Sequence, residues 1–168
     1  MKKAKKIFAS ALWALAFIAL AKNANAANLP DTLDEWRGTL VQATEFITTK
    51  DDENLGQWQN RVYIRDAPIA SVEANLMEGP GTGTLFVPEG NTPDGGIAKN
   101  KAPLGFASVY ETLNIAGKRA ILERGDVTGQ ALAVALGENK TLTLETNSLS
   151  REELLDFAQT LIVLLEAR

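Results

Sequence analysis

The sequence predicts an α+β domain: an antiparallel sheet of about six strands, covered on one face by a C-terminal helix. Two observations carry this. Alternating apolar and polar residues recur at 57–65, 69–77, 107–115 and 140–146, and large residues alternate with alanine at 130–136, the period of a strand. Ser150-Arg151-Glu152-Glu153 then matches a capping box, and a broad apolar stripe follows it from Leu154 to Leu165.

The domain is preceded by a different kind of segment. Residues 1–26 begin with four lysines, continue through an apolar run from Ile7 to Ala21, and end at Ala24-Asn25-Ala26. This is the pattern of a secretory signal peptide cut after Ala26. The run has 15 residues, short of the roughly 20 that cross a bilayer as a helix, and Lys22 ends it. The expected mature protein is a single domain, 27–168, in a bacterial periplasm or outside the cell. A chain of that length buries roughly 70% of its unfolded surface, so it needs no staples, and with no cysteine it has none.

Composition excludes several functions. Removing residues 1–26 takes five of the 17 Lys and Arg and no acid, so the formal charge falls from −4 to −9. Such a surface repels phosphate backbones and anionic lipid, which argues against nucleic acid and membrane partners. There is no histidine, so Ser-His-Asp and Cys-His nucleophile systems and Cys/His zinc sites are impossible within this chain. No metal or cofactor is expected.

In chain order, Asp31 or Thr32 is placed to cap a short helical turn, with Trp36 anchoring the entry segment onto the domain. Residues 40–48 are β-branched and read as a strand. Lys50 to Asn54 is a charged turn. Residues 57–65 and 69–77 flank Asp66-Ala67-Pro68 as a hairpin. Its wet face is expected to carry Arg61, Tyr63 and Arg65 with Ser71, Glu73 and Asn75, opposite Trp58, Asn60, Val62 and Ile64. After Gly79-Pro80-Gly81-Thr82-Gly83 and a brief extended run at 84–87, residues 88–103 hold three Gly, three Pro and two Asn and read as a long loop. Strands follow at 107–115 and, after Ala116-Gly117, at 118–124. The strand at 130–136 shows Leu132, Val134 and Leu136 on one face and Ala131, Ala133 and Ala135 on the other, and the alanine face predicts close cover by another element. The strand at 140–146 precedes the final helix, which runs to about Glu166. Its stripe is wider than one packing face requires, which leaves room for a homo-oligomer through this helix.

The chemical motifs are weak. The glycines at 79, 81 and 83 lack the Lys-Ser/Thr of a phosphate loop. Asp51, Asp52 and Glu53 lack the distal acid of a calcium loop, since Val62 stands at its position. Asn139-Lys140-Thr141 fits a glycosylation sequon at a hairpin turn. Glu73, Glu111, Glu123 and Glu145 all fall in strands, where a converging pair would support glycoside hydrolysis. Arginine and tyrosine are favoured at binding surfaces, which nominates Arg61, Tyr63, Arg65 and Glu73 as a binding face. Lys99 and Lys101 in the 88–103 loop are nominated as contact points for a partner.

The order of elements over 107–166, with the Ile115-Ala116-Gly117-Lys118-Arg119-Ala120 turn and Ser150-Arg151-Glu152-Glu153-Leu154-Leu155 opening the final helix, resembles the Mog1/PsbP-like group of small α/β sandwich proteins. The resemblance implies an accessory or assembly role and carries over no site residue. The sequence thus leads to an exported, non-catalytic binding or accessory module of the cell envelope, with an envelope protein or a small molecule as partner. The alternative is a carboxylate hydrolase acting on envelope glycan.

Overall fold

The computed structural model describes residues 28–47, 55–86, 96–101, 107–125 and 128–167. Residues 1–26, expected to be a leader, 50–54, expected to be a charged turn, and most of 88–103, expected to be a loop, lie outside them.

Ten strands and one helix are present among these residues: β1 (Thr32–Leu33), β2 (Trp36–Gly38), β3 (Gln42–Ile47), β4 (Leu55–Asp66), β5 (Ile69–Glu78), β6 (Ile97–Lys101), β7 (Ala107–Ile115), β8 (Lys118–Gly125), β9 (Gly129–Gly137), β10 (Lys140–Thr146) and α1 (Arg151–Glu166). All pairings are antiparallel. The order is β1-β2-β4-β5-β10-β9-β8-β7-β6, with β3 also paired to β4. The expected class holds, but the sheet is larger than six strands, because three short strands line its edges.

Two of these edges were expected to be something else. Instead of a capped helical turn, residues 32–38 form a hairpin in which Asp34 takes a left-handed φ of 50°. The exposed edge of β4 decides this, pairing Ile64 and Tyr63 with Arg37 and Gly38. At the other edge, the 88–103 loop contains β6. Its breakers flank a five-residue run, Ile97-Ala98-Lys99-Asn100-Lys101, which has no Gly or Pro and pairs along β7. Lysines suit such an edge because they discourage further strand pairing. The register sets Lys99 opposite Val109 and Lys101 opposite Ala107. The extended run expected at 84–87 is not a strand over Thr84–Phe86.

One face of the sheet is the core. Ala70, Val72, Ala74, Leu76, Ala120, Leu122, Leu132, Val134, Leu142 and Leu144 are buried beneath α1, which contributes Leu154, Phe157, Ala158, Leu161, Ile162 and Leu165. The capping box forms as expected, with Ser150 accepting from the Glu153 amide and Glu153 accepting from the Ser150 amide. The wide stripe is largely consumed by this packing, with Leu155 and Leu164 half-buried at its margins and Val163 exposed. No helix among the described residues is long and apolar enough to cross a membrane.

The position of β10 between β5 and β9 has a topological consequence. The chain leaves β5 near the middle of the sheet and begins β6 at the far edge. The first part of that crossing, Gly79 to Phe86, lies over the face that α1 leaves open.

Candidate functional site

On the helix-distal face the pleat aligns side chains in rows across the strands. One row runs Val62, Glu73, Glu145, Ala131, Glu123 and Tyr110 from β4 to β7. The next runs Asn60, Asn75, Thr143, Ala133, Ile121 and Thr112. The alanines of β9 are small, so the middle of the face is low. Leu85 packs down onto Tyr110 and Ile121, with Ala133 and Ala135 against the same cluster. What remains open is a trough of about 400 Å³, floored by Ala131, Ala133 and Thr143 and walled on one side by Leu85 and Phe86. Glu123 and Glu145 also line it. Phe86 is 75% exposed above it.

The wall is pinned by backbone and by turn residues. The Gly83 amide donates to the Glu138 carbonyl at 3.1 Å, the Gly81 amide donates to Asn139 Oδ1 at 3.0 Å, and the buried Thr141 hydroxyl donates to the Thr82 carbonyl. Arg119 donates to the Leu85 carbonyl at 3.4 Å. Gly83 is required for closeness: a Cβ there would collide with the Gly137 carbonyl and the Glu138 backbone. The glycine-rich run is therefore a docking device for the trough wall. Asn139 and Thr141, the outer residues of the sequon pattern, act as its anchors.

The electrostatics of the two faces differ. On the helix side several acids are paired with cations. Arg151 of α1 holds Glu111 through two hydrogen bonds of 3.1 and 2.5 Å, and these keep the Glu111 carboxyl below its ordinary pKa. The Ser150 amide, followed by Arg65, does the same for Glu153. On the open face, Glu73 accepts from Asn60 at 2.7 Å and Glu123 accepts from the Tyr110 hydroxyl at 3.1 Å. Among the described residues no ion pair reaches Glu73, Glu123 or Glu145, and Glu145 accepts no side-chain hydrogen bond. Glu73 and Glu145 are register partners. The described residues contain no group of acids able to hold a metal ion.

The nominated binding face divides between the two sides of the sheet. Register sets Tyr63 opposite Val72 and Arg61 opposite Ala74, both core residues, whereas Glu73 sits opposite Val62. Arg61, Tyr63 and Arg65 therefore face α1, and Glu73 and Asn75 face away. Tyr63 is fully buried, meets the Phe157 ring edge-on at 5.4 Å and donates to the Pro30 carbonyl at 2.8 Å. Arg61 is buried and pairs with Asp31 at 2.5 Å. Arg65 lies 4.8 Å over the Trp36 ring and donates to Glu35, Glu153 and the Pro68 carbonyl, and its two carboxylate partners hold its pKa above the usual value. These three fasten the entry segment to the domain. Trp36 anchors that segment as expected, edge-on to Phe157 at 5.1 Å. Of the nominated residues, Glu73 alone among Arg61, Tyr63, Arg65 and Glu73 belongs to the open face. It joins a polar patch in which Asn60 bridges Glu73 and Asn75 while Trp58 donates to Asn75.

The trough residues Tyr110, Leu85, Phe86 and Thr143 carry no signal in the sequence, whereas Glu123 and Glu145 are singled out there only as carboxylates of a hydrolase. The alanine face of β9 predicts a covering element, and Leu85 packs against Ala133 and Ala135 only, leaving that face partly open. Comparison of the chain with family models, with curated proteins and with solved structures gave no match.

Proposed function

We propose that the mature chain is an exported, non-catalytic binding or accessory module of the cell envelope that receives its partner in the helix-distal trough. The observation that carries this is the combination at one place of an apolar floor and wall with carboxylates that no cation of the described residues answers. Clefts of this size, mostly apolar with a few placed polar groups, are the usual form of a binding site. The leader-like residues 1–26 and the acidic mature surface support an envelope location. An accessory role is also what the resemblance of residues 107–166 implies.

The test is site-specific photo-crosslinking in the exporting cell, with the photoreactive residue at Phe86 or at Gln159. Adducts at position 86 and none at 159 support the reading. Adducts from both faces alike, or from the helix side alone, overturn it.

A second reading has one observation in its favour. Glu145 and Glu123 share a row two strands apart, roughly 10 Å between backbones, near the carboxyl separation of inverting glycosidases. Release of soluble fragments from purified envelope glycan, lost in Glu145→Gln, would favour hydrolysis over binding.

A further inference from the structure

We infer that the occupant of the trough is an extended polypeptide segment of a partner protein, presenting an apolar side chain with a lysine or arginine two residues to either side. This deepens the binding-module reading and rests on it.

The trough carries the inference, and the acid row fixes the charge. The floor at Ala131 and Ala133 carries nothing beyond Cβ, and the space of about 400 Å³ suits a side chain and its flanking backbone better than a folded domain. Leu85, Ile121 and the exposed Phe86 give that side chain apolar contact. On the other side, Glu73, Glu145 and Glu123 stand in one row. Strand spacing puts Glu145 and Glu73 about 5 Å apart and Glu123 roughly 10 Å beyond Glu145. An extended chain repeats the same side every ~7 Å and presents residues i and i+4 about 13 Å apart. A segment crossing the strands along this row therefore sets i over Glu73 and Glu145, i+2 over Ala131 and Ala133, and i+4 over Glu123. Positive charge at i and i+4 with an apolar residue between them is the complement.

Charge also selects against other occupants. A nucleic acid or an anionic lipid headgroup would bring phosphate against three carboxylates. A free polyamine would satisfy the acids but make no use of Leu85 and Phe86, so it serves as the competing outcome. The wet edge of the trough predicts salt-sensitive binding, because exposed charges are screened within about 10 Å at 0.1 M salt.

The experiment is selection of a random heptapeptide phage library on the protein purified from an exporting host. The expected result is enrichment of sequences with Lys or Arg four apart and an aliphatic or aromatic residue midway. A synthetic peptide of that consensus should bind at least tenfold more weakly to Glu123→Gln/Glu145→Gln, and more weakly at 500 mM than at 50 mM salt. It should bind unchanged to Glu152→Gln, which alters the helix side. The Gln variants are near-isosteric, and circular dichroism establishes that they fold. The inference is overturned if no consensus emerges, if the consensus lacks basic residues, if the double variant binds equally, or if millimolar spermidine binds the trough as tightly as the peptide. Adducts at Phe86 with no basic consensus would overturn this inference and leave the binding face standing, and loss of both would remove the two together.

Discussion

The trough wall depends on one hydrogen atom. Gly83→Ala places a methyl group against the Gly137 carbonyl oxygen and within 2.7 Å of the Glu138 carbonyl. Both are backbone of the β9–β10 turn, so neither swings aside as a side chain would. The segment 82–86 must lift. Lifting it removes the Gly83–Glu138 hydrogen bond, strands the Thr82 carbonyl that Thr141 serves, and exposes Leu85, now 8% exposed. Those two hydrogen bonds and the Arg119–Leu85 one, at about 1 kcal/mol each, with a leucine at about 2 kcal/mol, set a ceiling of about 5 kcal/mol. The freed residues regain chain entropy, so a net loss of about 2–3 kcal/mol is expected.

Urea unfolding measures this, and amide exchange locates it. In Gly83→Ala the Gly83 amide should lose protection while the amides of Val134 and Leu144 in the sheet interior keep theirs. Gly137→Ala is the internal control: it alters the same contact from the other side, where a Cβ meets nothing within 4 Å, and the change should be neutral or slightly stabilising. The reasoning fails if Gly83→Ala unfolds within 0.5 kcal/mol of the parent with the Gly83 amide still protected.

Three further outcomes follow from the structure. Glu111 titrates below its ordinary value because Arg151 hydrogen-bonds its charged form. As pH falls, the unfolded chain takes up that proton first, so stability is present above the ordinary glutamate pKa of about 4.3 and is lost as pH drops through the lower folded value. The stability difference between the parent and Glu111→Gln, about 1–2 kcal/mol at pH 7 for a half-buried pair, should therefore shrink as pH falls below the ordinary glutamate range in denaturant titrations. Ser150→Ala removes the acceptor for the Glu153 amide and should cost about 1 kcal/mol, read as a lower urea midpoint with unchanged slope. Glu145→Gln relieves the like-charge register pair with Glu73 and should raise stability by about 0.2–1 kcal/mol, while weakening peptide binding in the assay above.

Much of the fold was legible because alternation and capping are local. Strands β4, β5 and β7 to β10 and the helix start at Arg151 follow from periods of two and 3.6 and from one hydroxyl–carboxylate pair, whereas β6 does not. What alternation leaves open is which side of a strand is inside. On β4 one face shows Trp58, Val62 and Ile64 and the other Gln59, Arg61 and Tyr63, and apolar count favours the first. The core takes the second, because residues 29–31 lie beside it and satisfy its polar atoms: the Leu29 amide bonds Gln59, Asp31 pairs with Arg61, and the Pro30 carbonyl accepts from Tyr63. Those partners are about 30 residues away in sequence, beyond the reach of any local pattern. The trough was hidden for the same reason. Its row of glutamates comes from three separate strands, and only the register that inserts β10 between β5 and β9 brings them into line.

That alignment bears on function more than the glutamates do individually. Where α1 and the entry segment pack, several carboxylates have a cation: Glu111 has Arg151, Glu35 and Glu153 share Arg65, Asp31 has Arg61 and Glu166 has Lys118. On the open face Arg119 donates to the Leu85 carbonyl and so holds the wall. Glu73 and Glu145 face each other directly, an arrangement that destabilises a sheet, beside the groove whose floor is cut down to alanine. Folding alone favours a threonine or a lysine at either position, since both would suit a solvent-facing strand and remove the repulsion. A local departure from what stability prefers, placed beside an opening on the helix-distal face, is where a binding role is expected. The carboxylates that no cation of the described residues pairs with are what the proposed cationic segment would complement.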